Sequence, residues 1–141
     1  MKLIRKINIC LCALVIVLSF IGCSSNSSVT DTIVKQSEIN AKIKKEAVIA
    51  DFVEINGHES ENKGRTYFIE GKVTNIDITN EVLPLLTLKV KEGTRYAMYD
   101  VLNFQKVDVN LKDKVKVYGN LSGEKNSRGM IQISGDIIEK K

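Results

Sequence analysis

Residues 66–78 read TYFIEGKVTNIDI, and this stretch decides the fold class of the chain. Positions 69, 71 and 73 are apolar or glycine and alternate with polar positions 70, 72 and 74, which is the period of a half-buried β-strand. The alternation continues through Ile76 and Ile78 on the other parity, and such a shift within one strand predicts a β-bulge. Gly71 lies where a strand can bend sharply. The stretch therefore predicts one long, bent strand.

Four further strands are predicted from alternating segments over 86–91, 95–104, 115–121 and 131–138. Pro84 precedes the first of these, where a missing N–H is tolerated, and Gly93 marks a turn. Apolar residues occupy both parities of 95–104, so the alternation does not determine which face of that strand is buried. The connection 105–111 is long and irregular, and a polar hairpin loop covers 122–128.

This strand pattern predicts a mainly β protein, with a five-stranded, OB-fold-like Greek-key barrel over residues 65–141. Closure of a barrel removes exposed sheet edges, which a small exported β domain needs. An SH3-like barrel or an open β-sandwich is the alternative, because periodicity does not give the order of the strands.

One amphipathic helix is expected before the barrel, over residues 37–56. Glu38 and Lys42 stand four apart in the favourable order, and Asn56 and Gly57 favour an end to the helix. We expect its apolar stripe to pack on the adjoining barrel, with a partner helix as the alternative. The stripe recurs at spacings of three or four, the period of a helix, and consists of Ile39, Ile43, Ala47, Ala50 and Val53.

The first 22 residues have the pattern of an export signal. Lys2, Arg5 and Lys6 precede a largely apolar run over 7–21, whose continuous core is the ten residues 9–18. A membrane-spanning helix needs about 20 apolar residues, whereas the apolar region of a signal peptide needs about 7–15. We therefore predict a signal peptide over 1–22, followed by a polar, flexible tether over 23–36.

The end of this run resembles the lipobox of bacterial lipoproteins. Gly22 is a small residue directly before Cys23, although Phe20 stands where that family usually has leucine. The resemblance implies that the Cys23 thiol receives a diacylglycerol with palmitate-type chains, and that cleavage after Gly22 makes Cys23 the N-terminus. Each buried methylene contributes about 0.8 kcal/mol, so several chains anchor stably. The expected location is the bacterial cell membrane, on its extracytoplasmic side. An uncleaved anchor and ordinary secretion are the alternatives.

From about Ile39 to the C-terminus, the chain resembles the tRNA-anticodon-like OB-fold lipoprotein family, a name that records fold similarity. The resemblance is carried by segments 50–51, 67–76, 111–119 and 131–138. Segment 111–119 corresponds to a family segment whose turn contains the pair Gly-Asp. In this chain, Asp113 occupies the turn, but the glycine is absent. These segments build the barrel, so the resemblance implies an OB fold and an exported protein, and it implies no ligand.

The charge balance gives no argument for an acidic partner. The chain has 21 Lys and Arg against 17 Asp and Glu, but loss of the signal would remove three cations and no acids, leaving one more cation than acids. Cys10 and Cys12 would leave with the signal, and Cys23 would carry the lipid. The folded domain would then have no thiol for a disulfide, a thiolate metal site or cysteine catalysis.

Motifs of catalysis and metal binding are absent from the sequence: it contains no GxSxG, HExxH, CxxC, P-loop or GxGxxG. His58 is the only histidine, and it lies with Glu59 and Glu61 in a glycine-bounded loop. Neighbouring residues of a flexible loop are poor chelators, so a solvated loop is expected there. Asp77 and Asp100 are strand-region acids without a recognisable metal-plus-arginine arrangement. We expect no enzyme, no metal and no cofactor.

Binding is the expected role of the barrel. OB barrels bind across the face of their second and third strands and with the flanking loops, which here cover 79–85, 89–99 and 122–128. Single-stranded nucleic acid needs cations for phosphates and rings for stacking. The candidate ligand-binding residues of this kind are Lys89, Lys91, Arg95, Tyr96, Tyr99 and Arg128. A charged outer face with tyrosines half-buried in the core is the alternative interpretation of the same residues.

Two functions follow as hypotheses. The first is a membrane-anchored, non-catalytic envelope lipoprotein whose barrel serves as a binding or accessory module for a protein or peptide partner. The second is a surface binder of single-stranded nucleic acid or oligosaccharide through the face of the second and third strands. An envelope location favours the first, because partners there are mostly proteins, glycans and lipids.

Overall fold

The computed structural model describes residues 29–79 and 82–141 of the chain. Residues 35–141 form one compact unit, and residues 29–34 are the described part of the unit before it. In chain order the elements are α1 (Val29–Glu46), β1 (Val48–Ile49), α2 (Phe52–Ile55), β2 (Thr66–Asp77), β3 (Leu85–Glu92), β4 (Arg95–Asn103), β5 (Lys114–Lys125) and β6 (Ile131–Lys140). The predicted signal peptide over 1–22, Gly22 and Cys23 lie outside the described residues.

Five strands close into a barrel. β2 pairs with β3, β3 with β4, and β5 with β6, all antiparallel, while β4 and β6 run parallel. β2 also pairs with β5, so the order β2-β3-β4-β6-β5 returns to its first strand. This closed five-stranded Greek-key order is that of an OB-fold barrel. The predicted OB-fold-like barrel is confirmed.

β2 closes the barrel because it is long enough to serve two neighbours. Residues 66–72 of β2 pair with β5, and residues 71–77 pair with β3. The register with β3 shifts between Val73 and Asn75, where the change of parity predicts a bulge. Gly71 lies where the two pairings overlap, and a Cβ there would stand 2.9 Å from the Lys89 carbonyl oxygen. A side chain at this position would therefore separate β2 from β3.

The core lies inside the barrel and consists of one face of each long strand. Leu88, Val101, Val117 and Ile133 are each fully buried, from four different strands. Their alternation with polar positions follows directly from the period of two in the sequence. Phe52 of α2 packs against this cluster from outside the long strands.

The helix before the barrel differs from the prediction of one helix over 37–56. α1 ends at Glu46, ten residues before the predicted end. Val48 and Ile49 then form β1, which runs parallel to β2, and the Ala50 N–H donates to the Phe68 carbonyl at 3.0 Å. Ala50 is buried, whereas Val53 is exposed, so the expected stripe does not share one face. Pairing with β2 overrides the helical period here because β-branched residues fit a strand well.

The chain resumes a helical conformation only after a new cap. Asp51 has an extended backbone, and its Oδ1 accepts from the Val53 N–H at 2.8 Å, which is how an N-cap begins a helix. The short α2 then ends at Ile55. At the other end, α1 begins at Val29, so residues 29–36 of the predicted flexible tether over 23–36 are helical. Neither α1 nor any other helix in the described part of the chain combines the length and apolar character needed to cross a bilayer.

Candidate functional site

The outer face of β3 and β4 carries three of the predicted ligand-binding residues. Lys89 and Lys91 alternate with buried residues along β3, and Tyr96 is paired with Lys91 in the ladder. The side chain of Tyr96 is 61% exposed. The Lys89 Nζ lies 4.2 Å from the centroid of the Tyr96 ring, a cation–π contact. These three residues therefore form one continuous, exposed surface.

Tyr99 does not belong to that surface, and its prediction as a ligand-binding residue is wrong. Tyr96 and Tyr99 have opposite parity on one regular strand, so they face opposite sides. Tyr99 is fully buried in the barrel, its hydroxyl donates to Glu92 Oε1 at 2.6 Å, and its ring meets Phe52 edge-on. Burial is the main cause that raises the pKa of the Tyr99 phenol, and the hydrogen bond to Glu92 raises it further. The residue is part of the core.

Arg128 closes the other end of the same face instead of standing free for a ligand. Asp100 points outward from β4 but is completely buried, because residues of the β5–β6 loop cover it. Its carboxylate accepts from Arg128 at 2.6 Å, from Asn126 at 2.5 Å and from the Thr87 hydroxyl at 2.7 Å. Charge-assisted hydrogen bonds of this kind are strong. They fasten the loop to the outer face of β3 and β4, so Arg128 already has a carboxylate partner, and its role in ligand binding stays a prediction.

Sequence reasoning named Lys89 but missed Lys72 and Lys114, which form a row of lysines with it beside Tyr96. Lys72 of β2 is directly paired with Lys89 of β3 on one side and with Lys114 of β5 on the other. All three side chains are exposed. We call Lys72, Lys89 and Lys114 the lysine row. Only the order of the strands brings them together, because the three positions are far apart in the sequence.

A groove of about 520 Å³ lies over the lysine row. Glu70 is the one acid in its wall, and Lys141 Nζ contacts the Glu70 carboxylate at 2.6 Å. That hydrogen bond is the main reason why the pKa of Glu70 is lowered. The acid is thus engaged by a lysine from outside the groove. The groove is lined by Glu70, Gly71, Lys72, Lys89, Lys91, Tyr96 and Lys114.

Arg95 lines a second groove of about 740 Å³, which adjoins the first, because Glu70 and Lys91 line both grooves. The second groove lies between β1 and the turn that joins β3 to β4, with residues 68–70 of β2 in its wall. The predicted ligand-binding residues therefore do not form one site. Lys89, Lys91 and Tyr96 lie at the first groove, Arg95 lies at the adjoining groove that also includes Lys91, Arg128 contacts Asp100, and Tyr99 lies in the core.

The glycine-bounded loop places His58 and Glu61 side by side. His58 Nδ1 lies 3.3 Å from Glu61 Oε1, and both side chains are largely exposed. Glu59 turns back to accept from the Gly57 N–H, which lowers its pKa, and it also contacts Lys125. Within residues 29–79 and 82–141, no group of three or more His, Cys, Asp or Glu residues could hold a metal ion.

No protein-family model matches the sequence, and no curated protein matches it. Among solved structures, the crystal structure of asparaginyl-tRNA synthetase from Pyrococcus horikoshii is similar over 59% of this chain, at 15% identity and a TM-score of 0.45. The matching part spans 21% of the synthetase chain. The OB fold of this chain is assigned from its own strand order and closure.

Proposed function

We propose that this protein is a membrane-anchored, non-catalytic lipoprotein of the bacterial envelope, whose OB barrel binds a protein or peptide partner. The observation that carries the binding role is the division of the outer face of β3 and β4. One half is closed by the chain's own loop through Asp100 and Arg128, and the other half is exposed around Lys89 and Tyr96.

The resemblance to OB-fold lipoproteins supports the anchoring part of the proposal. It rests on Gly22 and Cys23 at the end of the apolar run, and on the barrel-building segments of the sequence. A lipid on Cys23 would hold the barrel near the membrane surface, where a partner in the envelope can reach it. Acyl chains supply the membrane affinity, so the barrel itself needs no apolar surface for anchoring.

A protein partner suits the exposed half better than a single-stranded nucleic acid does. Proteins that bind single-stranded nucleic acid stack successive bases on aromatic rings. With Tyr99 in the core, Tyr96 is the aromatic residue that remains on this part of β3 and β4, and Lys89 already lies over its ring. Tyr is also one of the residue types enriched at protein–protein interfaces.

Photo-crosslinking in living cells tests the binding role. Tyr96 is replaced by p-benzoylphenylalanine in the full chain, and the adducts formed on illumination are separated by mass. We expect a discrete adduct that protease removes. The matched control is the same replacement at Phe104, another exposed aromatic residue, 48% exposed, which lies after β4. No adduct should form from that position.

Two outcomes would contradict the proposal. A Tyr96 adduct that resists protease but is removed by nuclease or by a glycosidase would favour the nucleic-acid or oligosaccharide hypothesis. Equal adducts from Tyr96 and Phe104, or none from either, would show that this face has no specific protein partner.

A further inference from the structure

The lysine row is an unfavourable arrangement for the barrel by itself. Residues paired directly across two strands have Cα atoms about 4.5–5.5 Å apart, and like charges in such pairs are destabilising. Lys72 has a like charge on both sides, Lys89 and Lys114. In the described part of the chain, no salt bridge joins any of these three lysines to a carboxylate.

Some lysines outside the row have acidic partners, whereas Lys116 of β5 forms no salt bridge in the described part of the chain. Lys140 contacts Asp113 at 2.8 Å, and Lys44 contacts Glu139 at 2.5 Å. Glu70, the acid in the groove wall, contacts Lys141 directly, and Lys114 of the row attracts it less strongly. The row thus concentrates three positive charges beside the single acid Glu70, in one groove of a domain whose predicted mature charge is almost balanced.

The contacts around the groove indicate the chemistry of its ligand. Anionic groups would neutralise the row, and Lys91 beside it adds a fourth cation to the groove. A nucleic acid would also need a free ring for stacking, and Lys89 lies over the ring of Tyr96. Carboxylates need only the ammonium groups, so Asp and Glu side chains match the groove without displacing that contact.

We infer that the lysine row, with Lys91 and Tyr96, binds an acidic segment of a protein partner. This inference rests on the proposed function and extends its site, because the row continues from the face of β3 and β4 across β2 to β5. The ligand lies across the strands, along the line of Lys89, Lys72 and Lys114. Neutralising the row relieves its like-charge repulsion, and this relief contributes to binding.

Fluorescence anisotropy of the purified full chain in detergent tests this inference with a labelled peptide of eight glutamates. We expect binding that weakens as salt is added, since the contacts are exposed ion pairs. Replacing all three lysines, Lys72→Gln, Lys89→Gln and Lys114→Gln, should weaken it about tenfold or more. The charge-matched control carries Lys35→Gln, Lys45→Gln and Lys106→Gln, exposed lysines outside the groove, and should keep most of the affinity.

Thermal unfolding of both triple variants separates loss of binding from loss of structure. The lysine-row variant should unfold at a higher temperature than the parent, because it removes repulsion.

Equal loss of peptide affinity in both variants would overturn the site, since net charge alone would then explain binding. The probes oligo-dT of eight nucleotides and phosphatidylglycerol vesicles test other ligands. If either binds more tightly than the glutamate peptide does, and this binding requires the lysine row, the ligand is a nucleic acid or a lipid surface instead of an acidic segment. If the glutamate peptide does not bind while Tyr96 still crosslinks to a protein, the acidic ligand is wrong and the proposed function stands.

Discussion

Two pairs of identical residues in and around β3 and β4 show how one side-chain type takes two roles. Tyr96 is exposed beside Lys89, whereas Tyr99, three positions later, fills the core. Arg95 lines an open groove, whereas Arg128 is held by a buried carboxylate. The residue type supplies the chemistry, and the direction of the side chain from the strand decides whether a ligand can use it.

The ion pair between Arg128 and Asp100 gives a prediction at this scale. We expect Arg128→Ala to lower the free energy of unfolding by about 2 kcal/mol, because the buried Asp100 carboxylate would lose its charged donor and keep only Thr87 and Asn126. The figure is at the low end for such pairs because the Arg128 side chain is 40% exposed. Urea unfolding followed by circular dichroism measures it.

Arg95→Ala is the matched control, since Arg95 is exposed and forms no ion pair in the described part of the chain. Its free energy of unfolding should stay within about 0.5 kcal/mol of the parent. Equal losses in the two variants would show that Asp100 does not depend on Arg128.

At the scale of elements, the barrel depends on the close approach of β5 and β6. Gly119 of β5 faces Gly135 of β6 where the register between these strands shifts. A Cβ at Gly119 would stand 2.0 Å from the Ser134 carbonyl oxygen, which is backbone and cannot rotate away. A Cβ at Gly135 would meet its nearest neighbours at 3.0 Å. The close approach, not the flexibility of glycine, explains the residue at 119.

Gly119→Ala should therefore destabilise the barrel by about 3 kcal/mol or more, because β5 and β6 must separate locally to admit the methyl group. Gly135→Ala should cost less, about 1 kcal/mol, because its neighbours need only move by a few tenths of an ångström. Thermal and urea unfolding of both variants give the comparison. A larger loss for Gly135→Ala would contradict the strand register described above.

The lysine row makes a prediction of opposite sign in the same sheet. Lys72→Gln should raise the free energy of unfolding by about 0.2–1 kcal/mol, because Lys72 has a like charge on both neighbouring strands. Added salt should reduce the gain by screening the parent's repulsion. Lys106→Gln, an exposed replacement in the β4–β5 connection, should change little. A loss of stability in Lys72→Gln at low salt would mean that the row is compensated by contacts other than those described.

At the scale of the whole molecule, the positive charge is divided between the predicted signal peptide and the barrel. The positive charge of the sequence lies partly in Lys2, Arg5 and Lys6, which belong to the predicted signal peptide. The remaining charge is close to balanced in number, but the fold gathers part of it into the lysine row. A near-neutral domain can therefore still present one strongly cationic groove.

The anchor is tested by Cys23→Ala. We expect the variant to leave the membrane fraction or to accumulate as an unprocessed chain of higher mass, because the thiol that receives the lipid is missing. Fractionation with immunoblotting and intact-mass measurement follow both changes. Ser24→Ala, the neighbouring replacement, should behave as the parent does. If Cys23→Ala alters neither fractionation nor mass, the lipoprotein proposal fails.

Prediction from the sequence succeeded where local period decides the structure. The long first strand, its bulge near Asn75 and the turn at Gly93 follow from patterns a few residues long. It predicted a helix before the barrel correctly but placed its end at residue 56 instead of Glu46, because Val48 and Ile49 pair with β2. Sequence reasoning also placed Tyr99 on the ligand-binding face with Tyr96. The odd spacing of three positions along β4 already places the two side chains on opposite faces of the strand.

The sequence by itself determined the class of fold, because alternation along a strand records which residues must avoid water. It also carries the pattern over residues 1–23 from which export and lipid attachment are predicted, since export signals are recognised as linear sequence. Only the tertiary structure decided the closure of the barrel, the cover over Asp100 and the lysine row. Each of these depends on which strands become neighbours, and Lys72, Lys89 and Lys114 meet only after β2 has paired on both sides.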